Sequence, residues 1–204
     1  MIAALLTGVV VGFVVSVPLG PVAAVTIRMA LRRDRRTALA LAVGSGAVDS
    51  VYAVLAYLGV AQILAREPRA MTAMYAIGAV VLAVLGVQSL RERPPPADSH
   101  ADPAGLARGL ATGALLTATN PAAILLWIGL AGTAFAGLAL PRMVAAAIGV
   151  GLGGIAWLAG VAELSLRGGA LFGARAVWIV RGIGGLLLVA SAYSLWNALA
   201  PFRG

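Results

Sequence analysis

The sequence predicts an all-α integral membrane protein with six transmembrane helices, arranged as two inverted three-helix repeats whose first and fourth helices are broken. Composition is the first reason, because 61% of the 204 residues are hydrophobic, only 11% are charged, and the mean hydropathy is +0.99. Soluble domains carry about 25% charged residues. The other reasons are six long apolar runs and two proline-containing breaks at matching positions of the two halves.

Each apolar run approaches or exceeds the roughly 20 residues that a helix needs to cross the bilayer core. None of the runs alternates like a strand, and in lipid a helix satisfies its own backbone hydrogen bonds. We therefore predict six membrane-spanning helices. They cover Ile2–Ile27, Thr37–Ala65, Met71–Leu90, Leu106–Gly137, Met143–Leu166 and Ala176–Ala200.

A polar, proline-rich segment divides the six runs into two groups of three. Three consecutive prolines at positions 94–96 exclude a helix there, so we predict an extended cytoplasmic linker. The predicted parts of the chain are the first repeat (1–90), the linker (91–105) and the second repeat (106–204).

Two similarities between the halves suggest that they are repeats. Ile77–Leu82 in the third span resembles Ile183–Leu188 in the sixth, and the break at Pro21 in the first span corresponds to the break at Pro121 in the fourth. Because each half has an odd number of spans, the halves must enter the membrane from opposite sides. Such inverted repeats are common in secondary transporters.

The net charge of +8 comes from fifteen arginines, without lysine, that cluster at the ends of the apolar runs. Arginines in such positions set topology and touch anionic lipid, so the expected partner is the lipid bilayer and not nucleic acid. With both termini outside, ten arginines lie on the cytoplasmic side and four on the outer side. This bias predicts an N-out, C-out protein.

The two breaks are candidate substrate-binding elements. The first contains Pro18, Gly20 and Pro21, and the second contains Asn120 and Pro121. Proline interrupts a helix and favours the first position of a new one, while asparagine is a favoured N-cap. A half-helix that begins at each break would present N–H groups and a positive dipole end, which suit a carboxylate. The alternative is that both breaks are structural kinks.

Asp49 lies near the middle of the second span, where a charge costs at least about 2.5 kcal/mol. We expect it to face the bundle interior, either as a proton carrier or as the partner of a substrate ammonium group. Ser45 lies one turn earlier on the same helix face, and Tyr52 and Trp157 are candidate walls of the same pocket. The alternative is a protonated aspartate that is hydrogen-bonded to a neighbouring helix.

Charged residues near the cytoplasmic ends of the fifth and sixth spans form a second candidate group. Glu163 and Arg167 are spaced i, i+4, and Arg181 lies at the start of the sixth span. A structural ion pair between the first two is the favoured interpretation. A cytoplasmic gate formed by all three residues is the alternative.

Glycine pairs with i, i+4 spacing indicate close helix packing. They are Gly8/Gly12, Gly109/Gly113 and Gly149/Gly153. Such pairs would pack either inside one protomer or between the two protomers of a homodimer.

A membrane-embedded enzyme is the second functional class, and the residue inventory argues against it. The chain has no cysteine, no lysine and a single histidine, His100, in the predicted linker. No zinc site or nucleophile–base set can be assembled from these residues, so we expect no metal and no cofactor. A structural or assembly subunit, and a transporter of another small solute or ion, are the further alternatives.

The motifs resemble the lysine-exporter (LysE/RhtB) family of amino-acid exporters. The residues that carry the resemblance are Pro18–Val22, Ile27-Arg28, Gly44, Asp49, Tyr52, Asn120-Pro121, Gly149–Trp157, Arg181, Gly182 and Gly185. The resemblance implies efflux of amino acids or similar zwitterionic solutes, driven by the proton gradient, across a bacterial inner membrane. The chain departs from the family at two places. Some members have a lysine shortly after the Asn-Pro pair, where this chain has Ala122 and Ala123, and some relatives have a serine in place of Gly154.

Overall fold

The computed structural model describes residues 1–17, 20–91, 105–131, 135, 137–172 and 176–199, and every regular element in these ranges is an α-helix. The all-α prediction is therefore confirmed for the described residues. Pro18 and nearly all of the predicted linker lie outside them. The helices are α1 (Ile2–Ser16), α2 (Pro21–Leu31), α3 (Arg35–Tyr57), α4 (Val60–Arg66), α5 (Pro68–Leu90), α6 (Gly105–Ala118), α7 (Pro121–Ala131), α8 (Leu140–Phe172) and α9 (Ala176–Ala198).

Four of these helices, α3, α5, α8 and α9, are long and apolar enough to cross a membrane by themselves. Two further spans are bent pairs of shorter helices: α1 and α2 meet at 81°, and α6 and α7 meet at 67°. If each bent pair is counted as one span, the described chain has six, as the sequence predicts. The predicted breaks in the first and fourth spans are thus present, and the protein is a multi-pass membrane protein.

The second predicted span ends earlier than its apolar run. Gly59 has a φ of 81°, a left-handed conformation that glycine adopts without steric cost, and it separates α3 from the short helix α4. The run Thr37–Ala65 therefore contains two helices rather than one. In the opposite sense, α8 continues to Phe172, past the predicted end at Leu166.

Four helix pairs make most of the contacts between elements: α1 with α8, α3 with α6, α3 with α8, and α5 with α9. Glycine makes the closest of these approaches possible. A Cβ on Gly109 would lie 2.5 Å from the carbonyl oxygen of Thr37, and one on Gly184 would lie 2.9 Å from that of Gly86. All three predicted glycine pairs face backbone of another helix of the same chain, so they pack inside the protomer.

The outer faces of the helices remain strongly apolar. Large hydrophobic side chains such as Val80 on α5 and Leu186 on α9 are 64% and 67% exposed. Contiguous apolar surface of this kind is rare in soluble monomers, whereas lipid covers it in a membrane. Inside the bundle, Trp127 and Ile124 of α7 and Met143 of α8 are fully buried and belong to one hydrophobic cluster.

Candidate functional site

The break in the fourth span is built by Asn120 and Pro121. The side-chain oxygen of Asn120 accepts a hydrogen bond from the backbone N–H of Ala122 at 3.1 Å, so it caps α7, and Pro121 occupies the first helical position. On the other side of the break, the hydroxyl of Tyr52 donates to the backbone carbonyl of Ala118 at 2.7 Å. That bond satisfies a carbonyl at the end of α6 that has no partner within the helix.

The break in the first span uses different capping chemistry. Gly20 precedes Pro21 in extended backbone, with φ −88° and ψ −173°, and α2 has no side-chain cap at its first turn. A Cβ on Gly20 would meet no atom within 4 Å, so this residue borders open space. The first-turn N–H groups of α2 are therefore not occupied by a capping side chain, in contrast to those of α7.

Both breaks border a single cavity of about 190 Å³. Its described lining comes from α1, α2, α3, α6, α7 and α8 and contains one charged residue, Asp49. The lining residues are Val15, Ser16, Gly20, Pro21, Val22, Ala23, Ser45, Asp49, Thr117, Asn120, Ala122, Ala123, Leu126 and Leu158. The structure thus brings together five of the sequence-predicted site residues, Gly20, Pro21, Ser45, Asp49 and Asn120. Ala122 and Ala123, where the chain departs from the resemblance, also line this cavity.

Asp49 is hydrogen-bonded to a residue that the sequence analysis did not identify. The indole N–H of Trp127, on α7, donates to Oδ1 of Asp49 at 3.0 Å, and Trp127 is only 1% exposed. Buried indole N–H groups usually find an acceptor, and polar partners inside a span are scarce. Trp127 lies in the otherwise aliphatic half-helix that follows the break of the fourth span. A single indole N–H in such a segment was the sequence signal that Trp127 donates to one of the few polar groups inside the bundle.

Ser45 is paired in a similar way. Its hydroxyl oxygen lies 2.8 Å from the hydroxyl oxygen of Thr117 on α6, and both side chains are buried. Thr117 was also missed from the sequence. Polar side chains at this depth need partners on other helices, so a threonine three residues before Asn120 was a reasonable candidate.

The predicted site residues Tyr52, Pro121 and Trp157 are not among the residues that line the cavity. Tyr52 is buried, with its hydroxyl bonded to α6 as described above. Trp157 packs edge to face against Phe13, with ring centroids 5.3 Å apart and an interplanar angle of 81°. Its buried indole N–H has no hydrogen-bond partner among the described residues.

The predicted ion pair between Glu163 and Arg167 is replaced by one between helices. Oε1 of Glu163 lies 2.5 Å from Nε of Arg35, which begins α3. The i, i+4 spacing within α8 favoured Arg167 as the partner of Glu163. Because α3 packs along α8, the guanidinium of Arg35 lies next to the carboxylate of Glu163 instead. Arg181 lies 5.2 Å from the ring centroid of Trp178, a cation–π contact within α9. None of the three predicted gate residues lines the cavity.

The described residues contain no group of three or more side chains that could hold a metal ion. Comparison with known families gives one match over most of the chain: residues 13–197 match the family model described as LysE type translocator. The chain belongs to the LysE family. Members of this family are transporters and not enzymes, which agrees with the all-helical, apolar bundle.

Two curated relatives of this LysE family member extend the comparison. This chain is 29% identical over 133 residues to the "Putative amino acid efflux protein YcgF" of Bacillus subtilis (strain 168), and the match covers 64% of this chain and 63% of that protein. It is 35% identical over 140 residues to the "Chemotactic transduction protein ChpE" of Pseudomonas aeruginosa, covering 68% of each chain. The matched region thus spans less than two thirds of the Bacillus relative. No solved structure matches the chain.

Proposed function

We propose that this LysE family member is a proton-coupled secondary transporter that exports neutral amino acids or similar small zwitterionic solutes. The observation that carries the proposal is that one cavity is bordered by both helix breaks and by Asp49. An α-amino acid carries a carboxylate and an ammonium group on one carbon. A compact site with positive helix ends and a single carboxylate matches both groups.

The carboxylate of the substrate would bind at the half-helix N-termini. The N-terminus of α2 is the better candidate for binding the carboxylate. Gly20 supplies no capping side chain there, and Val22 and Ala23 of the first turn line the cavity. At α7 the side chain of Asn120 already accepts from Ala122. The ammonium group of the substrate, or the coupling proton, would bind Asp49.

The helix contacts support an inverted repeat. In the two halves, α1 and α2 correspond to α6 and α7, α3 corresponds to α8, and α5 corresponds to α9. Exchanging the halves converts the α1–α8 contact into the α6–α3 contact and returns the α3–α8 and α5–α9 contacts to themselves. All four of the major packing pairs obey this exchange, as two repeats related by a two-fold axis require, and an odd number of spans in each half would make the repeats inverted.

The arginine bias supports a location in the bacterial inner membrane with both termini outside and the linker in the cytoplasm. With that orientation the Arg35–Glu163 pair lies at the cytoplasmic ends of α3 and α8. The two side chains are 60% and 38% exposed, so they would sit at the membrane boundary and not in the lipid core.

A counterflow assay tests the proposal directly. Purified protein in liposomes preloaded with leucine should take up labelled leucine, and unlabelled neutral amino acids should compete. Leucine amide and isoamylamine, which lack the carboxylate, and isocaproate, which lacks the ammonium group, should compete at least about tenfold less well, because each loses one charged contact of about 1.5 kcal/mol or more. Equal competition by the amines would exclude carboxylate recognition. Absence of any amino acid exchange by intact, inserted protein would exclude the proposed function.

A further inference from the structure

The two central helices of the bundle, α3 and α8, are crossed in the same way by their partner helices. On α6, Cβ atoms placed on Gly109 and Gly113 would collide with the carbonyl oxygens of Thr37 and Leu41 on α3. On α1, Cβ atoms placed on Gly8 and Gly12 would collide with the carbonyl oxygens of Ala146 and Val150 on α8. Each crossing therefore uses glycines four residues apart against carbonyls four residues apart. Leu41 on α3 consequently corresponds to Val150 on α8.

A second contact, one turn further along, has the same correspondence. Ser45, four residues after Leu41, is paired with Thr117, four residues after Gly113. In the other half, a Cβ on Gly154 would lie 3.2 Å from the hydroxyl oxygen of Ser16. Gly154 is four residues after Val150, and Ser16 is four residues after Gly12. The register thus holds over two turns, and both Ser16 and Thr117 line the cavity.

The next turn brings this register to Asp49 on α3 and to Leu158 on α8. Asp49 lies eight residues after Leu41, and Leu158 lies eight residues after Val150. Both residues line the same cavity. Leu158 is only 5% exposed and packs against Ala23 in the first turn of α2, directly beside the α2 end proposed to bind the carboxylate. The cavity therefore has a carboxylate at one of two equivalent positions and an isobutyl group at the other.

We infer that Leu158 determines which amino-acid side chains this site accepts. The inference rests on the proposed function, and it assigns the second repeat a role different from that of the first. With the ammonium at Asp49 and the carboxylate at α2, the substrate side chain would extend toward Leu158. A neutral, aliphatic side chain gains apolar contact there, whereas a second cation would be desolvated without a partner.

The inference is tested by exchanging the chemistry at this position. Leu158→Asp should improve competition by lysine relative to leucine at least about tenfold, because it supplies the missing carboxylate. The matched control is Leu158→Asn. Asparagine is polar and nearly the same size as aspartate but carries no charge, so this variant should not improve competition by lysine. Leu158→Ala should instead shift the preference severalfold from leucine toward the bulkier phenylalanine.

All variants and the wild type are compared in the leucine counterflow assay, with folding checked by size-exclusion chromatography in detergent. If Leu158→Asp does not fold, the leucine-to-phenylalanine preference of Leu158→Ala decides the question. Unchanged preference in Leu158→Ala together with unchanged lysine competition in any folded Leu158→Asp protein would overturn the assignment of Leu158. A wild type that exchanges leucine would leave the proposed function standing in that case, whereas a wild type that exchanges no amino acid would overturn the proposed function itself.

Discussion

Replacing Asp49 with asparagine removes the one charge of the described cavity lining while keeping its shape. The amide oxygen of asparagine can still accept the hydrogen bond that the indole of Trp127 donates at 3.0 Å. The variant cannot bind a proton or form an ion pair with an ammonium group. We therefore expect Asp49→Asn to insert and fold normally but to lose transport driven by a pH gradient.

The magnitudes follow from the contacts. A hydrogen bond to a charged group contributes about 1.5–3 kcal/mol, so loss of the ammonium contact should weaken leucine binding about 10- to 150-fold. The free energy of unfolding should change by about 1 kcal/mol or less, because interhelical hydrogen bonds in membranes average about 0.6 kcal/mol. Asp49→Leu is the contrasting variant. It leaves the buried indole N–H of Trp127 without an acceptor, which costs about 1–3 kcal/mol.

The assay is leucine uptake into proteoliposomes with and without an imposed pH gradient, together with thermal unfolding of each variant in detergent. We expect Asp49→Asn to lose the response of uptake to the gradient while its unfolding temperature stays the same. Asp49→Leu should also lose the response to the gradient, and its unfolding temperature should fall. Undiminished gradient-driven uptake by Asp49→Asn would refute the coupling role. Asp49 would then be a structural residue whose function is to accept from Trp127.

Three further predictions concern the breaks, the packing and the topology. Pro21→Ala and Pro121→Ala should each favour a continuous helix and lower leucine affinity or turnover at normal expression; normal transport by both would exclude the half-helix site. Gly113→Ala should lower the free energy of unfolding by about 1–3 kcal/mol, because its Cβ would collide with backbone of α3. The control is Gly160→Ala, which should leave the free energy of unfolding unchanged because its Cβ meets no atom within 4 Å. Equal unfolding temperatures of the two variants would contradict the close crossing of α6 and α3. A cysteine introduced at Ser99, in the predicted linker outside the described residues, should resist an impermeant thiol reagent added to the periplasmic side of intact cells, and ready labelling would reverse the proposed orientation.

The spans and their breaks could be predicted from the sequence because they depend on local properties. The length of an apolar run is set by the thickness of the bilayer, and the effect of a proline on the preceding turn is independent of the rest of the fold. The early end of α3 at Gly59 was also a local property, but a lone glycine in an apolar run is an ambiguous signal, since glycine is common inside membrane helices. The apolar run therefore predicts one span where the structure has the two helices α3 and α4.

Partners of side chains could not be predicted in the same way. The spacing of Glu163 and Arg167 predicted a pair within one helix, but the partner of Glu163 is Arg35, which lies 128 positions away. Tyr52 was predicted as a wall of the pocket, yet it does not line the cavity, and its hydroxyl donates to the carbonyl of Ala118. Helical periodicity gives the direction in which a side chain points, and only the packing of the other helices determines what it meets there.

The three polar residues singled out on α3 share one property that links the fold to the proposed chemistry. Ser45, Asp49 and Tyr52 are each hydrogen-bonded to the fourth span, at 2.8, 3.0 and 2.7 Å, on both sides of its break. The corresponding stretch of α8 carries Gly154 and Leu158 at the first two of these positions. Polar contacts are thus concentrated on one side of the cavity and apolar contacts on the other. In the proposed binding mode the ammonium group of a neutral amino acid would meet the polar side at Asp49, and its aliphatic side chain would meet the apolar side at Leu158, next to the α2 end that would bind the carboxylate.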